Sequence, residues 1–339
     1  MTRAVIFDEV SIVFGDDPHG ALPLADEGRS RSEIGKETGQ VLGVHDASLE
    51  VDEGEIVVLM GLSGSGKSTL LRAVNGLNPV TRGSVRVHDG SAMVDVTTCR
   101  PATLRQLRQT RVAMVFQQFG LLPWRSVAEN VGFGLELAGV RPADRARRIA
   151  EQLALVGLDG WADRPVAELS GGMQQRVGLA RAFATDAPIL LMDEPFSALD
   201  PLIRTRLQDE LLDLQRKLRR TILFVSHDLD EAFKLGGRIA LMEGGRIVQT
   251  GTPREIFSDP ASPYVAEFVA NMNPLGVLTA RDVMTAAPGA DPAAPEVAPE
   301  TPVRALMAQL QQARHLTVTD QGRTLGQITA ESIVARLCR

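Results

Sequence analysis

Residues Gly61 to Thr69 read GLSGSGKST, the spacing G-x-x-x-x-G-K-[ST] that wraps backbone N–H groups around a row of phosphates. Gly64 and Gly66 allow the loop to turn those groups inward, and the helix expected over STLLRAVNGL adds the positive end of its dipole. Lys67 would reach the β- and γ-phosphates as a point charge, and Ser68 would give a hydroxyl to Mg²⁺. Gly61, Leu62, Ser63, Ser65 and Thr69 complete the cradle. The strand-like EIVVLM before the loop supplies the context that separates such a cradle from a chance match.

A second chemical feature is PILLMDEP, an apolar strand ending in adjacent acids. Asp193 is expected on the metal side and Glu194 toward the attacking water as general base. A third is AELSGGMQQRVGLARA, Ala167 to Ala182, whose Ser-Gly-Gly again suits phosphate. One nucleotide needs one cradle, so the second requires an explanation.

Taken together, in this order, these motifs resemble the ABC-transporter ATPases over residues 5–272, and LSGGMQQR is similar to that family's signature sequence. The resemblance implies ATP and Mg²⁺ as cofactors and a head-to-tail homodimer. In that dimer each ATP lies on one subunit's phosphate loop and under the other's Ser170, Gly171, Gly172 and Gln174. The second cradle then serves the partner's nucleotide, and a closed twofold dimer forms both sites together. By the same resemblance Gln117 in VAMVFQQF is the glutamine that touches Mg²⁺ and water. Gln118 beside it is set aside by motif alignment alone. Asp200 in SALD would lie near the partner's phosphate loop, and His227 in FVSHD would contact the γ-phosphate. Phe14 stands where the family carries an adenine-stacking aromatic, with Phe7 the other aromatic available.

These groups must be held by a scaffold, and short apolar runs alternating with amphipathic stretches describe one. EIVVLM, VAMVFQ, PILLMDE, TILFVSH and RIALMEGG read as strands covered on both faces, so an α/β fold of the P-loop NTPase, ABC type is expected. That type implies a mixed sheet core and a helical subdomain over residues 118–182. RTRLQDELLDLQRKL places Leu207, Leu211, Leu214 and Leu218 on one helical face. FGLLPWRSVAENVGFGLEL, with Trp124, is either part of a docking groove for a membrane subunit or core of the helical subdomain.

Residues 16–44 interrupt the pattern as an insertion, in which Ser30 and Glu33 form a capping box and Gly39 ends a short helix. The ATPase domain is expected over 1–272. A tail over 276–339 resembles a small α+β cystathionine-β-synthase-like (CBS) module. Within it the Ala/Pro-rich stretch 286–302 is expected to be an extended loop, and Ser332 stands where such modules carry a ribose-contacting acid.

The chain has 339 residues, 44% hydrophobic and 23% charged, which is ordinary globular material. A net charge of −6 offers no basic excess to displace counterions from nucleic acid. Cys99 and Cys338 have no metal-like spacing and read as two reduced thiols. No run reaches membrane-span length and MTRAVIFDEV is not a secretion signal, so any membrane role runs through another chain.

GKETGQVLGVHDASLEVDEGEI, MGLSGSGKSTLLRAVNGLNPVTRG, DPLIRTRLQDEL and SHDLDEA resemble the quaternary-amine importers of this family, and VLGVHDASL, NGLNPVTRG and ANMNPL lean to choline. The resemblance implies membrane permease subunits and a periplasmic or extracellular solute-binding protein as partners. The chain would sit peripherally on the cytoplasmic face of the bacterial inner (plasma) membrane. A soluble ABC ATPase acting on nucleic acid or ribosomes is the competing class. It would show a coiled-coil insertion, paired ABC units or basic tracts, and the sequence shows none.

Overall fold

In the computed structural model the described residues are 2–117, 119–270, 275, 277–286 and 294–337. Gln118, ANMNPL residues 271–274, residues 287–293 of the Ala/Pro stretch and Cys338 lie outside them. The chain divides into two compact units, Met1–His227 with Leu235–Thr250, and Asp228–Lys234 with Gly251–Arg339.

The first unit carries β1 (Arg3–Phe14), β2 (Val41–Asp52), β3 (Ile56–Met60), β4 (Arg82–His88), β5 (Met93–Asp95), β6 (Val112–Val115), β7 (Ile189–Asp193), β8 (Thr221–Val225), β9 (Arg238–Glu243) and β10 (Arg246–Gly251). A six-stranded sheet runs β10-β9-β3-β8-β7-β6, with β3, β6, β7, β8 and β9 parallel. Every residue of β3, β7 and β8 is buried. Burying each Val, Leu or Ile there contributes about 1.5–3 kcal/mol. Leu59 pairs with Val225, and Val225 with Asp193. That register brings the carboxyl ends of three strands, hence Gly61, Glu194 and His227, to one edge of the sheet.

An antiparallel sheet β2-β1-β4-β5 completes the mixed architecture that the resemblance implies, built from strands that no apolar run in the sequence marks. Its inward Val5, Phe7, Val10, Ile12, Val44, Val85 and Val87 share one apolar core with Leu59, Leu191, Leu223 and Val225 of the parallel sheet. Between β1 and β2 lie α1 (Leu22–Asp26) and α2 (Arg31–Thr38). Ser30 and Glu33 form the capping box reciprocally, and Gly39 ends α2 at φ 72°. Ile34, fully buried, joins Val13, Ala21, Leu22, Ala25 and Leu42 in a small core that packs this insertion onto the strand ends.

Further along come α3 (Lys67–Ala73), α4 (Pro101–Thr110), α5 (Val127–Leu137), α6 (Pro142–Leu155), α7 (Gly171–Ala184) and α8 (Pro201–Leu218), while α9 (Leu229–Leu235) falls almost wholly in the second unit. Helices α5, α6 and α7 pack on one another as a helical layer. On α8 the expected apolar face stops short. Leu207 and Leu211 are buried, but Leu218 is 53% exposed, because the helix ends there and the chain reverses through Arg219 in a left-handed conformation. The Leu214 side chain lies outside the described residues. No helix among the described residues is long and apolar enough to cross a membrane.

The second unit holds α10 (Pro253–Ser258), α11 (Pro263–Ala270), α12 (Ala280–Val283), α13 (Val303–Leu310) and α14 (Ala330–Leu337), with β11 (Glu296–Val297), β12 (Leu316–Asp320) and β13 (Arg323–Ile328). In the second unit Phe257 of α10 packs against the core of Leu278, Val303, Leu306, Leu316 and Ile328. The Ala/Pro stretch is not loop throughout. Val297, apolar and β-branched, is buried in β11, which pairs in parallel with β12. Ser332 caps α14 reciprocally with Thr329, each backbone N–H donating to the other's hydroxyl at 3.1 Å.

His45 on β2 is almost fully buried, with Nδ1 3.5 Å from Ser11 Oγ and Nε2 3.4 Å from Asp26 Oδ1. Burial, then the charge of Arg246, holds its pKa below the usual value, with Arg82 acting the same way and Asp26 and Asp46 opposing. Below pH ~6.5 the unfolded chain therefore takes up a proton that the native imidazole refuses. The stabilisation is complete above that pH and is lost as pH falls, by at most about 1.4 kcal/mol per pH unit. The apparent Tm of the wild type should drop between pH 7.5 and 5.5, and His45→Gln should shallow that drop. Parallel curves for the two proteins would contradict it.

Candidate active site

A cavity of about 590 Å³ opens at the carboxyl edge of the parallel sheet, lined by Phe14, Ser63, Gly64, Gly66, Lys67, Ser68, Thr69, Gln117, Glu194 and His227. The loop from β3 to α3 forms its floor. Gly66 precedes α3 as its N-cap at φ 102°, and a Cβ there would stand 2.5 Å from the Gly43 carbonyl oxygen, so only glycine fits. Lys67 is buried and donates from Nζ to the Gly61 and Leu62 carbonyls, each at 2.9 Å. Burial lowers its pKa, while Glu194 and Asp193 counter that pull. Gly61, Leu62 and Ser65 shape the loop without lining the cavity.

Asp193 is fully buried at the end of β7. Ser68 Oγ donates to its Oδ1 at 2.6 Å, and Arg72 of α3 donates to Oδ2 at 2.8 Å. Glu194 follows at φ 47°, a left-handed backbone that costs a non-glycine residue about 1–2 kcal/mol and aims its carboxylate into the cavity. Gln117 Nε2 donates to Glu194 Oε2 at 3.0 Å, and His227 Nδ1 lies 3.3 Å from the same oxygen. Three strand ends thus converge on one carboxylate.

Of the two candidate aromatics, Phe14 lines the cavity at 38% exposure, whereas Phe7 is core. Ser170, Gly171, Gly172, Gln174 and Asp200 do not line this cavity. Ser170 caps α7 through Met173 N, Asp200 caps α8 through Ile203 N, and Gln174 Nε2 donates to the Val166 and Leu169 carbonyls. The second cradle is therefore a pre-capped helix start that does not line its own chain's cavity.

Residues that no motif singled out also belong to the site. Arg31, Val41, Leu42 and Gly43 line the cavity, and Arg72 balances Asp193. Gln175, buried, donates to the Glu194 carbonyl at 3.1 Å and accepts from Ala198 N at 3.0 Å, tying α7 to the segment that follows β7. Its signal is helical register: in the Gln174-Gln175 pair only one side chain can face inward. Arg181 of α7 holds the carbonyls of Phe119 and Gly120 just beyond Gln117. Trp124 is 78% exposed, so it is not core of the helical layer.

Residues 44–197 match the family model described as ABC transporter. The chain is 50% identical over 276 residues to the glycine betaine/proline betaine transport system ATP-binding protein ProV of Escherichia coli, covering 81% of this chain and 68% of ProV. It is 49% identical over 277 residues to the glycine betaine/carnitine transport ATP-binding protein GbuA of Listeria monocytogenes, covering 82% and 69%. Over 268 residues it is 47% identical to the trimethylamine N-oxide transport system ATP-binding protein TmoW of Ruegeria pomeroyi, covering 79% and 77%. Among solved structures, the ATP-binding cassette MJ0796, a dimer in a post-hydrolysis state bound to ADP and Pi, superposes with a TM-score of 0.64. It is 28% identical and covers 74% of this chain and 99% of its own.

Proposed function

Since the chain belongs to the ATP-binding subunits of ABC transporters, we propose that it hydrolyses ATP to drive import of glycine betaine, choline or a related quaternary amine through a separate membrane permease. The observation that carries the reading is the convergence of Gln117 and His227 on Glu194 at the mouth of a phosphate loop.

In this reading ATP lies with its phosphates over Gly64 to Thr69 and its adenine against Phe14. Lys67 neutralises charge on the β- and γ-phosphates, and the N-terminus of α3 adds its dipole. Ser68 Oγ and Asp193 Oδ1, already 2.6 Å apart, are hard oxygen donors suited to Mg²⁺, with the Gln117 amide oxygen as a third. The ion, when bound, neutralises charge on the phosphate oxygens. Glu194 accepts a proton from water as that water attacks the γ-phosphorus and the bond to the β–γ bridging oxygen breaks, releasing ADP and phosphate, while Gln117 and His227 fix the carboxylate. His227 then contacts the γ-phosphate.

The signature residues Ser170, Gly171, Gly172 and Gln174, with Asp200, serve the nucleotide of a second copy. ATP draws two copies together head to tail, and product release parts them. The permease docks beside the Gln117 loop, at a surface that includes Trp124. Arg181, which grips that loop from α7, connects docking to the catalytic strand ends. A solute-binding protein outside the membrane supplies the cargo, and the chain stays peripheral on the cytoplasmic face.

Reconstitution of the chain with its permease and solute-binding protein in liposomes tests the cargo. Glycine betaine or choline should raise ATP hydrolysis several-fold and appear inside the vesicle. A flat response to both would remove the cargo assignment and leave the ATPase intact.

A further inference from the structure

Arg31, the first residue of α2, lies in the insertion and in none of the nucleotide motifs, yet it lines the cavity. Its Nη1 donates to the Gly64 carbonyl in the phosphate loop and its Nη2 to the Gly43 carbonyl on β2. Nη2 also lies against Gly66 and Gly245, so close that a Cβ on either would stand 3.1 or 2.7 Å away. Burial pushes the guanidinium's pKa down, and its Nε is enclosed with no hydrogen-bond partner. A cation held half out of water with one donor unmet is costly, so the fold must secure it by other means.

Those means are visible in the insertion. The capping box of Ser30 and Glu33 fixes the start of α2, and Ile34, three residues on and on the same face, anchors the helix in its small core. Arg246 donates to the Ala25 carbonyl at 2.6 Å, and Arg82 makes a two-pronged contact with Asp26 at 2.7 and 2.8 Å. Gly43, the other carbonyl that Arg31 grips, has no Cβ, which would stand 2.8 Å from the Phe14 ring and 3.0 Å from the Thr69 methyl. One guanidinium therefore spans the strand that backs Phe14 and the loop that floors the phosphate end.

We propose that Arg31 is a positioning residue for ATP, and that the insertion exists to carry it. By holding the Gly64 carbonyl it keeps the phosphate loop in its binding conformation before nucleotide arrives, so less ordering is left to the binding step. The planar fork matters as well as the charge, because two carbonyls on different elements must be held at once. This inference rests on the ATPase reading.

The test uses the full chain, with ATP as ligand. Arg31→Gln should raise the Kd and KM for ATP about 10-fold while kcat changes less than about twofold. Arg31→Lys should recover only part of that loss. Ile34→Ala, which loosens the insertion without touching Arg31, should shift KM the same way. Should Arg31→Gln not fold, Arg31→Lys and Ile34→Ala carry the test alone. A KM within twofold of wild type in Arg31→Gln, or full recovery by Arg31→Lys, overturns the proposal. An equal fall in kcat with KM unchanged overturns it too. Wild-type protein without ATPase activity would instead defeat the underlying reading, so the two failures are separable.

Discussion

Glu194→Gln should slow ATP hydrolysis by about 10²- to 10⁴-fold while leaving ATP bound. The amide keeps the size of the carboxylate and its oxygen can still accept from Gln117, whose Nε2 reaches Glu194 Oε2 at 3.0 Å. What it cannot do is take the proton of the attacking water. The phosphate loop is untouched, since Lys67 is held by the Gly61 and Leu62 carbonyls and not by Glu194. The variant should therefore accumulate in the ATP-bound, paired state, visible as a doubled mass in size-exclusion chromatography with ATP and absent with ADP. Hydrolysis at the wild-type rate would remove Glu194 as the base. His227→Ala should give a smaller deficit, because His227 orients the same oxygen and contacts the γ-phosphate but does not take the proton.

Ser170→Arg should abolish turnover just as thoroughly, by about 10²-fold or more, through a different step. Ser170 is absent from the lining of its own chain's cavity and caps α7, an interaction worth roughly 0.5–2 kcal/mol. Its loss thus leaves the subunit folded and its own phosphate loop complete. ATP affinity of the separate subunit should stay within about twofold of wild type. The bulky cation instead blocks the approach of a second copy's nucleotide to the N-terminus of α7. A large loss of ATP affinity in the isolated subunit would show that Ser170 serves its own pocket and would undo the division of labour between copies.

The parallel sheet was legible because its strands are apolar on both faces: IVVLM, ILLMD and TILFV are unbroken hydrophobic runs between helices. The antiparallel sheet was not. β1 does not alternate, since it bulges with register shifts near Phe7, Val10 and Ile12, its exposed acids Asp8 and Glu9 are adjacent, and Val10 to Val13 are buried in a row. Chain-local motifs were equally readable: the phosphate loop, the acids and His227 meet at one edge because each ends a buried strand. Residues that act on the site from another element left no trace. Arg31 reaches the loop across 33 positions and Arg72 reaches Asp193 across 121, and neither distance is encoded in a local pattern. Gln175 and Leu218 show the same limit at helix scale, where register and the helix end decide which face is buried.

Mixing two inactive variants tests most directly whether each reaction centre is shared between copies. Lys67→Ala disables the phosphate loop and Ser170→Arg disables the signature, so each protein alone should be nearly inert. A dimer with one subunit of each kind contains one doubly damaged site and one intact site. Random pairing in an equimolar mixture should therefore restore up to about a quarter of wild-type ATPase activity. A mixture that forms mixed dimers, seen by differential tagging, yet hydrolyses no more ATP than its parents would contradict the shared site.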